Sequence, residues 1–227
     1  RGTRGGGGAA GEVEHAAHAQ AGQEPPATLR GGGEGGALAD WSKGGTVGTR
    51  LHGNPMYLGI VGGAYHATFG AILTGTAYAA IDEYELLLRK KPVVGNPALL
   101  RLHDPASQSV FGEALALTHA AEAISLAVTR EYMEQCRRWS ETGQPITNED
   151  TLKLWATAQK GCHLACDAVE KLFHTASASA SHKGQKMQRY FRDIQMYLVH
   201  PSSQPLISQL YAQNHLGLGG GLFGIAH

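Results

Sequence analysis

The chain has 227 residues, and its 19 Lys and Arg residues balance 19 Asp and Glu residues. This zero net charge gives no electrostatic argument for binding nucleic acid or an anionic membrane. With 42% hydrophobic residues, the chain is long and apolar enough to bury one sizeable core. It has no uninterrupted run of about 18 apolar residues and no charged-then-apolar leader, so we expect neither a membrane span nor a signal peptide.

The three cysteines indicate a reducing environment. Cys136, Cys162 and Cys166 are an odd number, and the last two would lie one turn apart on a helix. That arrangement is poor geometry for a structural disulfide. We therefore expect a soluble cytoplasmic protein.

Composition divides the chain into three regions. Residues 1–48 are dominated by Gly, Ala, Glu and Gln, including a run of four glycines at Gly5 to Gly8. So few aliphatic side chains predict an irregular region without a stable core of its own. A helical domain is predicted over residues 49–217, followed by a Gly-rich tail at 218–227. The tail lacks the preceding strand and following helix of a nucleotide-binding fingerprint.

Capping signals predict three long helices in the middle region. Each begins with a polar residue that can cap the first turn, followed by Pro or by an acidic partner three residues later. The predicted helices run from Asn54-Pro55 to about Lys91, from Asp104-Pro105 to near Gly143, and from Thr147 to about Ala176. The residues between the first two, 92–103, contain Pro92, Gly95 and Pro97 and predict a connector.

Two shorter helices follow in the sequence. Phe191, Ile194 and Leu198 recur at helical spacing, and Pro201 forbids the helical conformation at His200, so this helix ends there. A last helix is predicted from about Leu206 to Leu216. Long helices joined by short loops, with no convincing strand pattern, predict an all-α fold: an antiparallel helical bundle.

The densest group of chemically active side chains lies at the end of the fourth helix, in QRYFRDIQMYLVHPSSQP at residues 188–205. His200 is predicted to point away from the helix end, and its imidazole exchanges protons near neutral pH. The hydroxyls of Ser202 and Ser203 are able to donate or accept hydrogen bonds to a ligand. From the residues alone, a surface or capping role for His200 is the commoner interpretation.

The small-residue loop Ser177 to Ser181 precedes this helix. Its hydroxyls and backbone N–H groups are able to bind a phosphate, but a polar turn between helices has the same composition. Both interpretations stay open.

Other catalytic and metal motifs find no support. The chain has no Gly-x-Ser-x-Gly elbow, Walker loop or His-Glu-x-x-His sequence. Neither helix with histidines at turn spacing has a Glu three residues before a His, as a di-iron bundle requires. We interpret these side chains as salt-linked helix surfaces: His119 and Glu122 on the second helix, and His163, Asp167, Glu170 and His174 on the third. Zinc is not expected, because Cys162, His163 and Cys166 lack a second ligand pair.

Several stretches resemble one protein family. They are RLHGNPMYLG at residues 50–59 with its continuation through AAIDEYELLLRKK, ALALTHAAEAISLAVTREYMEQCRR at 114–138, and RYFRDIQMYLVHPSSQP at 189–205. Together they resemble the C-terminal helical domain of flavin-dependent monooxygenases built on the acyl-CoA dehydrogenase fold. This group contains the oxygenase component of 4-hydroxyphenylacetate 3-monooxygenase. The resemblance covers roughly residues 50–217.

This resemblance implies a function and a set of partners. The chain would belong to the oxygenase component of a two-component flavin monooxygenase, which takes reduced FMN or FAD from a flavin reductase and hydroxylates a small aromatic substrate with O₂. The similar proteins are homotetramers through this domain. In them a histidine at the position of His200 lies by the flavin and helps the oxygenated flavin form and deliver its oxygen.

Further site residues follow from their positions around His200. We expect Ser202, Ser203, Arg192 and Tyr190 near the substrate and flavin, with Arg192 and Asp193 also fixing the helix end. Ser179, Ser181 and Arg189 are candidates for binding the flavin phosphate.

Two alternatives remain. The family has a β-domain where residues 1–48 stand, so we expect either a fragment or a non-native N-terminal region. The chain would then be a non-catalytic helical oligomerisation fragment. The other alternative is an acyl-CoA dehydrogenase-like flavoprotein. That enzyme would need a carboxylate base and a Gln-x-x-Gly-Gly-x-Gly stretch, and KGQKMQRYFRD stands in its place.

Overall fold

A computed structural model describes residues 47–59 and 61–219. Within these ranges it has six α-helices, which confirms the predicted all-α bundle. Almost all of the predicted irregular region 1–48 and most of the tail 218–227 lie outside the described residues. The helices are α1 (Val47–His52), α2 (Val61–Lys90), α3 (Pro105–Thr142), α4 (Asn148–Thr175), α5 (Lys186–Leu198) and α6 (Leu206–His215).

The starts of α3 and α4 are those that the capping signals predict. The Asp104 side chain accepts a hydrogen bond from the Ser107 N–H at 2.9 Å, and Gly143 ends α3 in the left-handed region at φ +74°. At α4, the Thr147 hydroxyl accepts from the Asp150 N–H at 3.0 Å, while the Asp150 carboxylate accepts from the Thr147 N–H at 3.3 Å. This reciprocal pair is a capping box.

The first predicted helix is in fact divided. The Asn54 side chain caps as expected, but the element it caps is the short 3₁₀ helix Pro55–Leu58, and α2 begins only at Val61. The reason is a close contact with α3. The Tyr132 hydroxyl donates to the Met56 carbonyl at 2.9 Å, and a Cβ atom on Gly59 would overlap the Tyr132 ring. Extended backbone at Gly59 lets the chain pass this ring.

The connector between α2 and α3 contains strands that the sequence pattern did not predict. It contains a small antiparallel hairpin of β1 (Pro92–Val93) and β2 (Asn96–Leu100), which turns at Gly95 with φ +84°. Arg101 fixes the hairpin to the bundle: its guanidinium donates to the Thr175 carbonyl at 2.8 Å and to the Pro92 carbonyl at 3.3 Å. Pro92 and Pro97 obscured this hairpin in the sequence because proline weakens a strand pattern.

The core lies between α2, α3 and α4, and α5 packs over it. Small side chains at the helix contacts let the backbones approach closely. Gly161 of α4 shows this, because an added Cβ would lie 2.9 Å from the Ile124 side chain of α3. The fully buried alanines of this core are Ala77, Ala80, Ala114, Ala121, Ala165, Ala168 and Ala176.

The first turns of α4 form a separate cluster with α6. Leu152 and Trp155 of α4 pack against Ile207 of α6, and all three side chains are buried. This contact brings the segment between α5 and α6 against the side of α4.

One described helix, α3, is long and apolar enough to cross a membrane by length and composition alone, with a mean hydropathy of 1.2 over its most apolar 18 residues. Only 17% of that stretch is buried. A single helix of this kind is weak evidence for a membrane span, because core helices of proteins without spans have the same composition.

Candidate functional site

His200 lies between α5 and α6, where it caps the short 3₁₀ helix Pro201–Ser203. Its Nδ1 atom accepts a hydrogen bond from the Ser202 backbone N–H at 3.1 Å. An imidazole nitrogen that accepts a hydrogen bond carries no proton, so the proton of the neutral ring is on Nε2. The local backbone therefore leaves the Nε2–H group of His200 for a ligand.

Two aromatic residues of α2 lie beside His200. The Phe69 ring centroid is 5.4 Å from that of the imidazole, and the Tyr65 centroid is 6.4 Å away. The two rings meet edge to face at 4.8 Å, and Tyr65 remains 42% exposed. This aromatic surface beside a hydrogen-bond donor fits a flat conjugated ligand.

A second imidazole, that of His66, lies beneath this surface. It is 2% exposed and stacks on Trp155 of α4, with ring centroids 4.2 Å apart. Its Nε2 atom has no hydrogen-bond partner among the described residues. Burial, and secondly the charge of His200, lower the pKa of His66 to about 3, so this ring is neutral near pH 7.

The two serines of the turn are buried, and α4 holds them from below. The Ser203 hydroxyl is 2.9 Å from Nε2 of His163, and the Ser202 carbonyl accepts from the Gln159 side chain at 2.8 Å. Burial, and next the nearby Lys160, lower the pKa of His163, although Asp167 partly opposes this. The interpretation of His163 as part of a salt-linked surface is therefore wrong, because its ring turns toward the Ser203 hydroxyl.

The α5 residues predicted around His200 are placed differently. Arg192 is exposed, and Tyr190 is half-buried against the main core. Asp193 pairs with Arg189 one turn earlier, at 3.6 Å. Among the described residues, no hydrogen bond or ring contact joins Arg192 or Tyr190 to His200, so their place in the site stays a prediction.

The candidate phosphate-binding serines lie in a short 3₁₀ turn, Ala178–Ser181, with exposed side chains. The Ser179 and Ser177 hydroxyls are 3.0 Å apart, and the Ser181 hydroxyl donates to the Ala178 carbonyl at 2.8 Å. Ser177 has φ +93°, which is unusual for a residue with a side chain.

An open cleft of about 590 Å³ separates this turn from the hairpin. Ser179 lines it together with Lys91 and Arg101, whereas Ser181 and Arg189 do not. The cleft thus has two cationic side chains and one of the predicted serines. The phosphate-binding role of Arg189 and Ser181 stays a prediction, because neither residue lines this cleft.

Sequence reasoning missed the residues that other helices bring to His200. Tyr65 and Phe69 of α2 are one turn apart, and Gln159 and His163 of α4 are also one turn apart. Spacing could have placed each pair on one helix face. It carried no information on which face meets the turn at 200–203.

A family model described as acyl-CoA dehydrogenase, C-terminal domain, matches residues 67–205. The match includes most of α2, all of α3 to α5, and His200. A search of curated proteins found no match to the sequence.

Solved structures share the fold at low sequence identity. They include 3-HSA hydroxylase from Rhodococcus sp. RHA1 (22% identity, TM-score 0.62, 76% of this chain and 42% of that one). The HsaA monooxygenase from M. tuberculosis is 19% identical with a TM-score of 0.63, over 77% of this chain and 43% of that one. XiaF from Streptomyces sp., in complex with FADH2 and glycerol, is 16% identical with a TM-score of 0.64, over 74% and 42%. The chain therefore spans less than half the length of these structures.

Proposed function

The chain belongs to the acyl-CoA dehydrogenase C-terminal domain family, and from this premise we propose that it is the helical part of the oxygenase component of a two-component flavin monooxygenase. The complete protein would hydroxylate a small aromatic substrate, as the 4-hydroxyphenylacetate 3-monooxygenase oxygenase does. The observation that carries this proposal is His200, whose Nδ1 is held by the Ser202 N–H so that Nε2–H is left for a ligand.

Names of the neighbouring structures support the class of reaction. Two of them are called a hydroxylase and a monooxygenase, and the third is in complex with FADH2. The chain spans 42–43% of those proteins, so the activity would belong to the longer protein of which this bundle is a part.

Reduced FMN or FAD would lie against Tyr65, Phe69 and His200, where the exposed aromatic surface fits a flat ring. When bound, it would supply the electrons that activate O₂. Ser179, Ser181 and Arg189 are the proposed phosphate-binding residues. Among them, Ser179 has the best support, since it lines the cleft with Lys91 and Arg101.

His200 would act as a proton donor and acceptor. Its Nε2–H is able to donate a proton to a developing oxygen anion and to take one back afterwards. Phe69, whose ring centroid is 5.4 Å from that of His200, would shield one side of the imidazole from water. Ser202, Ser203, Arg192 and Tyr190 are the other residues proposed in the vicinity of the substrate and flavin.

The proposed partners are a flavin reductase and further copies of the same chain in a homotetramer. The apolar composition of α3 supports assembly, because little of its most apolar stretch is buried within the chain and Leu126 is 48% exposed. All three cysteines are free and buried, which supports a reducing, cytoplasmic setting.

The proposal is tested with the complete protein, reduced FMN or FAD, oxygen and a small phenol. We expect hydroxylated product in place of hydrogen peroxide. Bleaching of bound oxidised flavin by an acyl-CoA thioester would identify an acyl-CoA dehydrogenase-like protein. Absence of flavin binding by the complete protein would favour a non-catalytic assembly module.

A further inference from the structure

Gln159 of α4 reaches into the turn that carries His200. Its side chain is 1% exposed, and its amide nitrogen donates to two carbonyls of the turn, Ser202 at 2.8 Å and Gln204 at 3.0 Å. An amide NH₂ group has two donors, so both are used. A buried side chain whose entire donor capacity is spent on one turn is suited to fix the backbone of that turn.

His163, one helical turn further along α4, contacts the same segment. Its Nε2 atom is 2.9 Å from the Ser203 hydroxyl. The turn is closed internally by the Ser203 N–H, which donates to the His200 carbonyl at 2.9 Å. Gln159 and His163 therefore hold Ser202, Ser203 and Gln204 from one side, immediately after His200, whose ring caps the turn.

We propose that Gln159, assisted by His163, is a positioning residue that fixes the ring tautomer of His200. By holding the turn, Gln159 keeps the Ser202 N–H directed at His200 Nδ1. This hydrogen bond keeps the single N–H proton of the neutral imidazole on Nε2. The role in catalysis rests on the proposed function, whereas the tautomer is a property of the chain itself.

The physical reason is a conflict between two donors. If Nδ1 carried the proton, its N–H would face the N–H of Ser202, and both would lose a hydrogen bond. The conflict exists only while the turn is held in place. Once the carbonyls of Ser202 and Gln204 lose Gln159, the peptide is able to rotate and Nδ1 is able to take the proton.

The experiment is ¹⁵N NMR of the full chain with labelled histidine, with His200 assigned by comparison with His200→Gln. In the natural protein we expect the widely separated nitrogen shifts of a single Nε2–H tautomer. In Gln159→Met the two shifts should approach each other. We expect the tautomer ratio to fall by about 10-fold, the equivalent of about 1.4 kcal/mol, or roughly one hydrogen bond.

Gln135→Met is the matched control. Gln135 is a buried glutamine of α3, 2% exposed, and its amide bonds Glu131 of the same helix at 3.3 Å. It has no hydrogen bond to the turn, so the His200 signals should not change. Equal changes in both variants would show a general loosening of the bundle and would overturn the proposal.

Ser203→Ala provides a second variant that removes only a hydroxyl, in case Gln159→Met does not fold. It should shift the tautomer ratio in the same direction by a smaller amount. If His200 keeps one Nε2–H tautomer in every folded variant, α4 does not set the tautomer and the proposal is wrong.

A separate measurement on the complete protein distinguishes this inference from the proposed function. Gln159→Met should lower product per reduced flavin without changing the affinity for reduced flavin. A tautomer change in a protein that binds no flavin would support the positioning role and contradict the monooxygenase proposal. A working monooxygenase in which Gln159→Met changes neither the His200 tautomer nor the product per reduced flavin would support the proposed function and contradict the positioning role.

Discussion

At the scale of single residues, the side chain of His200 combines two tasks in one ring. Nδ1 caps the turn by accepting from Ser202, and Nε2 is left for a ligand. Asparagine is among the best capping residues because its side-chain oxygen accepts the same kind of bond. The two tasks can therefore be separated by substitution.

His200→Asn should keep the cap and lose the proton exchange. We expect the melting temperature and reduced-flavin affinity of the complete protein to stay close to the natural values, while hydroxylation falls by about 10²–10⁴-fold. Product and hydrogen peroxide are measured together. Unchanged coupling in a well-folded His200→Asn protein would remove His200 from the site.

His66 should make the bundle sensitive to acid. Its pKa is about 3 when folded and 6.5 as an ordinary histidine, so between these values the unfolded chain binds a proton that the folded chain does not. Stability attributable to His66 is therefore complete above pH 6.5 and decreases as pH falls, by up to about 1.4 kcal/mol per pH unit.

The free energy of unfolding in urea, measured at pH 7, 6, 5 and 4, checks this prediction, because the last three values lie between the two pKa values of His66. His66→Phe keeps a ring against Trp155 and should flatten the pH dependence. His103→Gln, at an exposed histidine, is the control and should leave the pH dependence unchanged. An identical slope in natural protein and His66→Phe would show that His66 does not carry this effect.

At the scale of elements, local signals predicted the helices well because caps are read from adjacent residues. Asp104, Thr147 and Asp150 act as their sequence indicates. The break before α2 was not predictable in the same way. It depends on Tyr132, which is 73 residues after Gly59 in the chain and contacts it only in the folded bundle.

Gly59→Ala should therefore destabilise the contact between the segment before α2 and Tyr132 of α3. Its methyl group would overlap the Tyr132 ring, and we expect a loss of about 1–3 kcal/mol in the free energy of unfolding. Gly75→Ala is the matched control, since no atom lies within 4 Å of the added Cβ on an exposed face of α2. It should stabilise the helix by about 0.5–1 kcal/mol. Thermal and urea unfolding measure the change in stability of each variant. Equal changes in Gly59→Ala and Gly75→Ala would contradict the packing argument.

The site was only partly predictable for the same physical reason. His200 and its turn lie within one continuous stretch, so the sequence pointed to them directly. Phe69 of α2 lies beside the His200 ring, and Gln159 of α4 bonds the turn that follows it. Helical spacing does not reveal which helix faces will meet. His163 was misread because Asp167 and Glu170 at turn spacing favoured a salt-linked surface, whereas its ring bonds Ser203.

At the scale of the whole molecule, the exposed apolar positions bear on assembly. Leu126 of α3 is 48% exposed and Ile72 of α2 is 64% exposed. Burying such side chains between copies removes apolar surface from water. We expect a homotetramer by multi-angle light scattering, and Leu126→Lys or Ile72→Lys should lower its mass.

Leu216→Lys is the control for this measurement, because Leu216 is 67% exposed just after α6 and away from these two helices in the chain. Its substitution should leave the mass unchanged. A monomer in the natural protein would contradict the assembly proposal, whatever the variants show.

Trp155, Gln159 and His163 recur every four residues, so all three lie on one face of α4. That face contacts His66 and the turn after His200. Two sequence segments therefore form one contact in the fold: Trp-x₃-Gln-x₃-His, and His-Pro-Ser-Ser-Gln about 37 residues later. Together they offer a searchable signature: sequences that retain both halves should build the same support under the imidazole, and those that keep only the second half should carry the histidine on a looser turn.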